Sequence, residues 1–261
     1  MYVTSNFMRR NIQISMACAL ALAFVGVATL RAAEEGSVQG KAIVRAVHGN
    51  VEYQSGGGWA PLKVNTELDA GVVVRTGPES SADLSVNGTS SALRIEAETT
   101  LGIPTMTRTS PSHDADQQTM LDLQDGAILG NVKKITANSQ YEIKTPHGVA
   151  GIRGTDYHVK SRLEPDGRHR VTFTSITGQV IVSAVVDPGG PSVVKVLRDG
   201  ESWTPGYGDV QPTPVYELQL FEGELGELMA NTNPQFGAPG QPPPLLNPFP
   251  TGGQSSPSAS Q

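Results

Sequence analysis

Cysteine is almost missing from this chain. The single one, Cys18, lies inside an apolar N-terminal segment, too early for a lipoprotein cysteine, which would follow such a segment. Without that segment no disulfide, cysteine nucleophile or thiolate metal site remains. Aromatic residues are scarce too, at 5 %. Positive charge is in deficit: 19 Lys and Arg stand against 25 Asp and Glu, for a formal charge of −6. Nucleic-acid affinity rests on Lys and Arg contacts to phosphate, and docking to an anionic lipid surface rests on the same charges. Neither is expected as a partner. No HExxH, GxSxG or GxxxxGK[ST] pattern occurs, so the common signatures of zinc proteases, serine hydrolases and phosphate loops are lacking.

Turn-formers are abundant. The 261 residues include 29 Gly and 19 Pro, too many for a helical bundle and well suited to many short strands. With 38 % hydrophobic residues the chain can bury a sizeable core. The fold class expected is all-β, with one C-terminal helix.

The N-terminus resembles a secretory signal peptide over residues 1–32. Arg9-Arg10 supply positive charge, Ile12 to Leu30 is apolar or small almost throughout, and Ala32-Ala33 precede Glu34-Glu35. Cleavage would place the protein in the periplasm or outside the cell. Retention would leave it anchored by a run near the lower limit for crossing a bilayer. Met8 offers a second possible start. Loss of residues 1–32 removes Arg9, Arg10 and Arg31 and no acid, which moves the formal charge from −6 to −9.

After a polar lead-in at 33–41, apolar residues alternate with polar ones through a β-region spanning 42–210. Glycine dipeptides punctuate it: Asn87-Gly88, Asp125-Gly126, Asp166-Gly167, Thr177-Gly178 and Asp199-Gly200. Asn-Gly and Asp-Gly are hairpin signals. The spacing is irregular, which excludes a fixed-period repeat. Over 211–230, Val215, Leu218, Phe221, Leu225 and Leu228 recur at helical steps. Thr213 is the expected N-cap, with Pro214 at the first helical position. Residues 231–261 carry no charge and many prolines, a composition expected of a disordered tail.

The stretch Lys144–Val159, KTPHGVAGIRGTDYHV, organises the rest. Gly148, Gly151 and Gly154 mark a tight connection between two extended pieces. Arg153 offers donors able to tie loop carbonyls or a carboxylate together; a structural role through carbonyls is the expectation. The pattern of Thr145-Pro146 followed by Arg153-Gly154-Thr155, an aromatic and Val159 resembles the signature of the FecR domain family. The same family's order appears at Val47–Val51 (VHGNV), Gly71–Gly77 (GVVVRTG), Asn87-Gly88, Leu121–Gly126, Gly178–Val180 and Leu197–Gly200.

The resemblance implies an envelope protein-contact module, built as a twisted two-layer or short solenoid-like β-architecture. Its structural motif is Thr145, Pro146, Gly151, Arg153, Gly154 and Thr155. Regulators of that family place a sigma-binding segment and a membrane helix before the domain, and here the signal-like residues stand in that place. The implied function is non-enzymatic contact with another envelope protein, in signalling or assembly, with an exposed sheet edge able to accept a partner strand. The alternative is a glycan- or wall-binding module. No catalytic residue and no cofactor is assigned. His147, His158 and His169 are spaced by eleven; an odd separation puts strand residues on opposite faces, and no acid stands with them at ligand spacing, so no metal site is assigned. Glu96 and Glu98 have the spacing of one strand face. Tyr53, Trp59, Trp203 and Tyr207 are the candidate partner contacts among the aromatics, with core filling as the plainer alternative.

Overall fold

A computed structural model describes residues 37–87, 91–110, 115–133, 136–187 and 189–233. The signal segment, positions 33–36 of the lead-in and positions 234–261 of the tail lie outside the described residues. The strands in chain order are β1 (Val38–Gln39), β2 (Ala42–His48), β3 (Val51–Gln54), β4 (Ala60–Pro61), β5 (Glu67–Leu68), β6 (Val72–Thr76), β7 (Ser81–Val86), β8 (Ser91–Ile95), β9 (Thr100–Arg108), β10 (Gln117–Val132), β11 (Gln140–Thr145), β12 (Gly148–Ile152), β13 (Thr155–Leu163), β14 (His169–Thr177), β15 (Val180–Val185), β16 (Ser192–Leu197), β17 (Glu201–Trp203) and β18 (Gln211–Pro212). One helix, α1 (Val215–Thr232), follows. Strands thus begin inside the expected lead-in and run two residues past 210.

The strands form two open layers. Sheet I has the order β4-β3-β6-β9-β10-β11-β12-β15-β16, with β1 on β9 beyond the end of β6. Sheet II has the order β5-β2-β7-β8-β10-β13-β14-β17-β18. The sheets are open rather than a barrel, and among the described residues only the β10–β11 pair is parallel. Alternation places Val74, Leu101, Leu121, Ile143 and Val182 of sheet I against Val44, Leu84, Leu93, Ile128, Val159 and Phe173 of sheet II, all at 0 % exposure. That packed interior is the core, since burial of apolar side chains is the main favourable term in folding.

β10 belongs to both layers. Its first part pairs with β9 and β11 in sheet I, and from Gly126 onward it pairs with β8 and β13 in sheet II. Gly126 turns the strand from one layer to the other with φ +93, a conformation that costs glycine nothing and other residues dearly. An added Cβ would also collide with Thr99. Thr99 Oγ1 accepts a hydrogen bond from the Ala127 amide at 2.9 Å, which fixes the bend. The hairpin expected at Asp125-Gly126 is therefore a change of layer.

The same holds elsewhere. Left-handed residues sit at Gly49, Asn65, Gly71, Glu79, Glu98, Gly154, Gly178 and Gly200, and each lies where the chain passes between sheets. Thr177-Gly178 and Asp199-Gly200 are thus layer crossings too. Asn87 and Gly167, also left-handed, do close hairpins within sheet II.

Helix α1 lies on the outer face of sheet II. Leu225 and Leu228 are buried against Ala92, Leu129 and Ile176, with Leu218, Phe221 and Met229 beside them. Four of the five periodic residues of the sequence pack here, while Val215 in the first turn is exposed. Its start differs from expectation: Pro214 occupies the N-cap without a side-chain hydrogen bond. Thr213 Oγ1 is buried and has no hydrogen-bond partner among the described residues. Thr213 follows β18 directly and its amide donates to the Gly200 carbonyl at 2.7 Å, so sheet pairing, not capping, sets its position. Among the described residues no helix is long and apolar enough to cross a membrane.

Candidate functional site

The Thr145–Thr155 stretch is a hairpin followed by a layer crossing. β11 pairs with β12 across Pro146-His147, and β12 pairs with β15. Thr145 is buried, and its hydroxyl donates to the Gly148 carbonyl at 2.9 Å. Pro146 is exposed at the tip. Gly148 packs tightly, since a Cβ there would meet Ala184 Cα at 2.8 Å. At the other end, Thr155 is 1 % exposed. Its Oγ1 donates to the Gln179 carbonyl at 2.9 Å and accepts from the Gln179 amide at 3.2 Å. Gly154 is exposed, with φ +62.

Thr155, and not Arg153, ties this loop together. Arg153 is exposed, and its guanidinium makes no hydrogen bond or ion pair among the described residues. The expected structural arginine is thus a free charge at the surface. The reason is topological: in the crossing into β13, Thr155 points inward and Arg153 outward.

What Arg153 borders is the outer face of sheet I, which no element among the described residues covers. Cross-strand register aligns Val149, Ser183 and Val194 in one row and Gly151, Ile181 and Val196 in the next. Val149, Ile181, Val185, Val194 and Val196 are 37, 48, 40, 61 and 36 % exposed. Apolar surface grouped in this way marks contact sites more often than scattered residues do. Just beyond the last paired positions of three neighbouring strands, Ile152, Val180 and Leu197, come Arg153, Gln179 and Arg198. Arg198 is also exposed, and its guanidinium bonds no group among the described residues. An aliphatic patch with two free guanidinium groups at one end therefore lies on an acidic protein.

Gly151 forms the floor of a depression there, of about 390 Å³, with Glu142, Arg153, Gln179 and Ile181 on its walls. A Cβ at Gly151 would meet only the Ile181 carbonyl, at 3.8 Å. The fold does not require glycine at this position; its effect is to keep the depression open.

The outer face of sheet II has the opposite character. Asp83 and Arg94 are cross-strand partners joined through two hydrogen bonds, Nε to Oδ1 at 2.7 Å and Nη2 to Oδ2 at 2.8 Å. Arg94 also donates to Glu227 at 2.9 Å, and Asn231 donates to Asp83 at 2.8 Å, both from α1. Burial opposes the Arg94 charge, but Asp83 and Glu227 outweigh it and raise the pKa. Beside them His158 stacks on Phe221, ring centres 4.3 Å apart, with Nε2 3.1 Å from Glu96. Burial pushes the Glu96 carboxyl up, yet His158 holds it below its ordinary range. Burial raises Glu224, assisted by the charge of Glu96. His158 and Glu96 stand out in the sequence, but nothing local there joins them to each other or to Asp83, Arg94 and Glu227. It explains the helix position rather than a free site.

The other candidates are scattered. Trp203 is 2 % exposed and belongs to the core, so it has no surface for a partner. Its indole donates to the Gly208 carbonyl at 3.1 Å. Tyr53 is half-buried against the core. Trp59 carries the Arg75 guanidinium on its ring at 3.9 Å, and Tyr207 carries that of Arg170 at 4.2 Å. His169 approaches Ser161 at 3.2 Å, and the His147 carbonyl accepts from Val185 at 3.0 Å. Glu96 lies beneath α1, whereas Glu98 sits in a turn with φ +53, so the two do not share a face.

Residues 72–180 match the protein family described as FecR protein. The chain carries a FecR domain. The matched span begins at β6 and ends at the first residue of β15. It includes Thr145, Pro146, Gly151, Arg153, Gly154 and Thr155, but not β16. Two crystal structures of a candidate anti-sigma factor from Parabacteroides distasonis ATCC 8503 are similar to this FecR-domain protein, at 14 and 13 % identity and TM-scores of 0.43 and 0.42. The similarity covers 57 % of this chain and 64 and 63 % of those chains. The FecR-domain protein thus spans less than two thirds of their length. No curated protein matches the sequence significantly.

Proposed function

We propose that this FecR-domain protein is an exported, non-enzymatic interaction module of the bacterial cell envelope that contacts another envelope protein in signalling or assembly. The domain family supports a regulatory, protein-binding role, and the signal-like residues 1–32 support export. The observation that carries the reading is the outer face of sheet I, uncovered among the described residues. It joins exposed aliphatic side chains, a depression kept open by Gly151 and free guanidinium groups at Arg153 and Arg198. Interfaces draw energy from such apolar centres and orientation from charges at the rim.

A glycan-binding role finds less support. Stacking on sugars needs open aromatic faces, and one face of both Trp59 and Tyr207 is taken by an arginine.

The test is affinity capture from a native envelope extract, with an Ile181→Glu variant and a glycan-stripped extract run alongside. The reading expects a stoichiometric protein that survives glycan removal and is lost with Ile181→Glu at unchanged melting temperature. Capture that vanishes without glycan, or that ignores the Ile181 change, overturns it.

A further inference from the structure

Most sheet margins in this protein are blunted. The outermost strands β4, β5 and β18 have two residues each, and β4 and β18 end in Pro61 and Pro212. Short strands and prolines are the usual protection against edge-to-edge pairing. β16 is different. It has six residues, SVVKVL, contains no proline and, among the described residues, pairs with β15 alone. Two of its side chains, Val194 and Val196, are exposed valines. Its one charged residue, Lys195, points the other way and is already neutralised within the chain by Asp209 at 2.8 Å. The inward-pointing charge that would keep another strand away is thereby silenced.

We propose that β16 pairs antiparallel with β16 of a second copy of this chain, about a two-fold axis through Val194, so that sheet I continues across the dimer. The register follows from the side chains. Directly opposed residues in a sheet lie on the same face, so outward Ser192, Val194 and Val196 must face outward residues. Centring on Lys195 would oppose two lysines, which is destabilising. Centring on Val194 sets valine against valine, places Val196 opposite Ser192, and Lys195 opposite Val193. It also brings Arg198 beside the turn that carries the exposed Asp187. Charges are thus complementary at both ends, as a two-fold interface requires of one surface. Val149, Gly151, Ile181 and Arg153 stay open beside this contact, whereas Val194, Val196 and Arg198 belong to both it and the partner surface proposed above; dimer loss is therefore read by sedimentation and partner loss by capture with Ile181→Glu.

Two six-residue strands make a small interface, and small interfaces are weak. The experiment is sedimentation equilibrium on the protein purified as its producing cells process it, from roughly 1 to 500 µM. Dimer formation within that range is expected. Val194→Lys and Val194→Glu, at an exposed position, should each keep the melting temperature and lose the dimer, lowering the association constant at least about tenfold. An equimolar mixture of the two should regain a dimer, because opposite charges then meet at the axis. A wild-type protein that stays monomeric overturns the proposal. So does a dimer indifferent to Val194, or a mixture that fails to recover.

Discussion

Asp83 on β7 faces Arg94 on β8 directly, and two hydrogen bonds at 2.7 and 2.8 Å join them under α1. Their side chains are 3 and 10 % exposed, while that of Glu227, which also binds Arg94, is 68 % exposed. Removing one member of a buried pair strands the other charge. Asp83→Ala should cost about 3–5 kcal/mol, and Glu227→Ala no more than about 1 kcal/mol, as urea midpoints will show. Similar costs for the two would mean that the pair is solvated in solution.

Tyr141 and Tyr157 share a hydroxyl–hydroxyl contact of 3.0 Å inside the core. Burial raises the Tyr141 pKa to about 12 and that of Tyr157 well above 10. Both groups hold fewer protons in the unfolded chain once the pH passes 10, so the unfolded state gains there. Their contribution is complete below about pH 10 and is lost as pH rises through about 12. The Tyr141→Phe/Tyr157→Phe double variant should lose this alkaline limb. An unchanged pH profile of the melting temperature counts against the buried pair.

Gly130 lies under the Tyr157 ring, and a Cβ at that position would run into it. Gly130→Ala should therefore destabilise by about 1–3 kcal/mol through overpacking. Gly151→Thr offers the contrast. Its Cβ has room, and glycine weakens a strand, so stability should hold or rise by up to about 1 kcal/mol. Binding of the envelope partner should fall because the depression is filled. A large loss of stability at Gly151→Thr would show that the glycine is structural.

Thr155 and Arg153 divide the loop between them. Thr155→Ala removes the buried bonds to Gln179 and should cost about 1–3 kcal/mol. Arg153→Ala should change stability by less than about 0.5 kcal/mol and weaken capture of the partner. Thermal melts of both variants decide the matter, since a destabilised Arg153→Ala would restore the loop-tying role to the arginine.

Secondary-structure class and family were both legible in local sequence. Period-two alternation is local, and so is the helical spacing of Leu218, Phe221, Leu225 and Leu228. The family's motifs are short and ordered along the chain. The positions of left-handed backbone were also legible, since Gly126, Gly178 and Gly200 lie in turn-forming dipeptides.

What those turns do depends on contacts far apart in the chain. A left-handed glycine serves a hairpin or a change of layer equally well, and the choice depends on which strand lies ready to pair beyond it. Turn length hid the Asp83–Arg94 pair in the same way. A two-residue turn at Asn87-Gly88 would pair Val86 with residue 89 and leave Asp83 opposite Ala92. The observed pairing of Val86 with Ser91 brings Asp83 to Arg94 instead. The open face of sheet I was hidden for a further reason. Val149, Ile181 and Val194 come from separate parts of the chain, and nothing local to any of them says that α1 covers the other sheet and leaves this one bare.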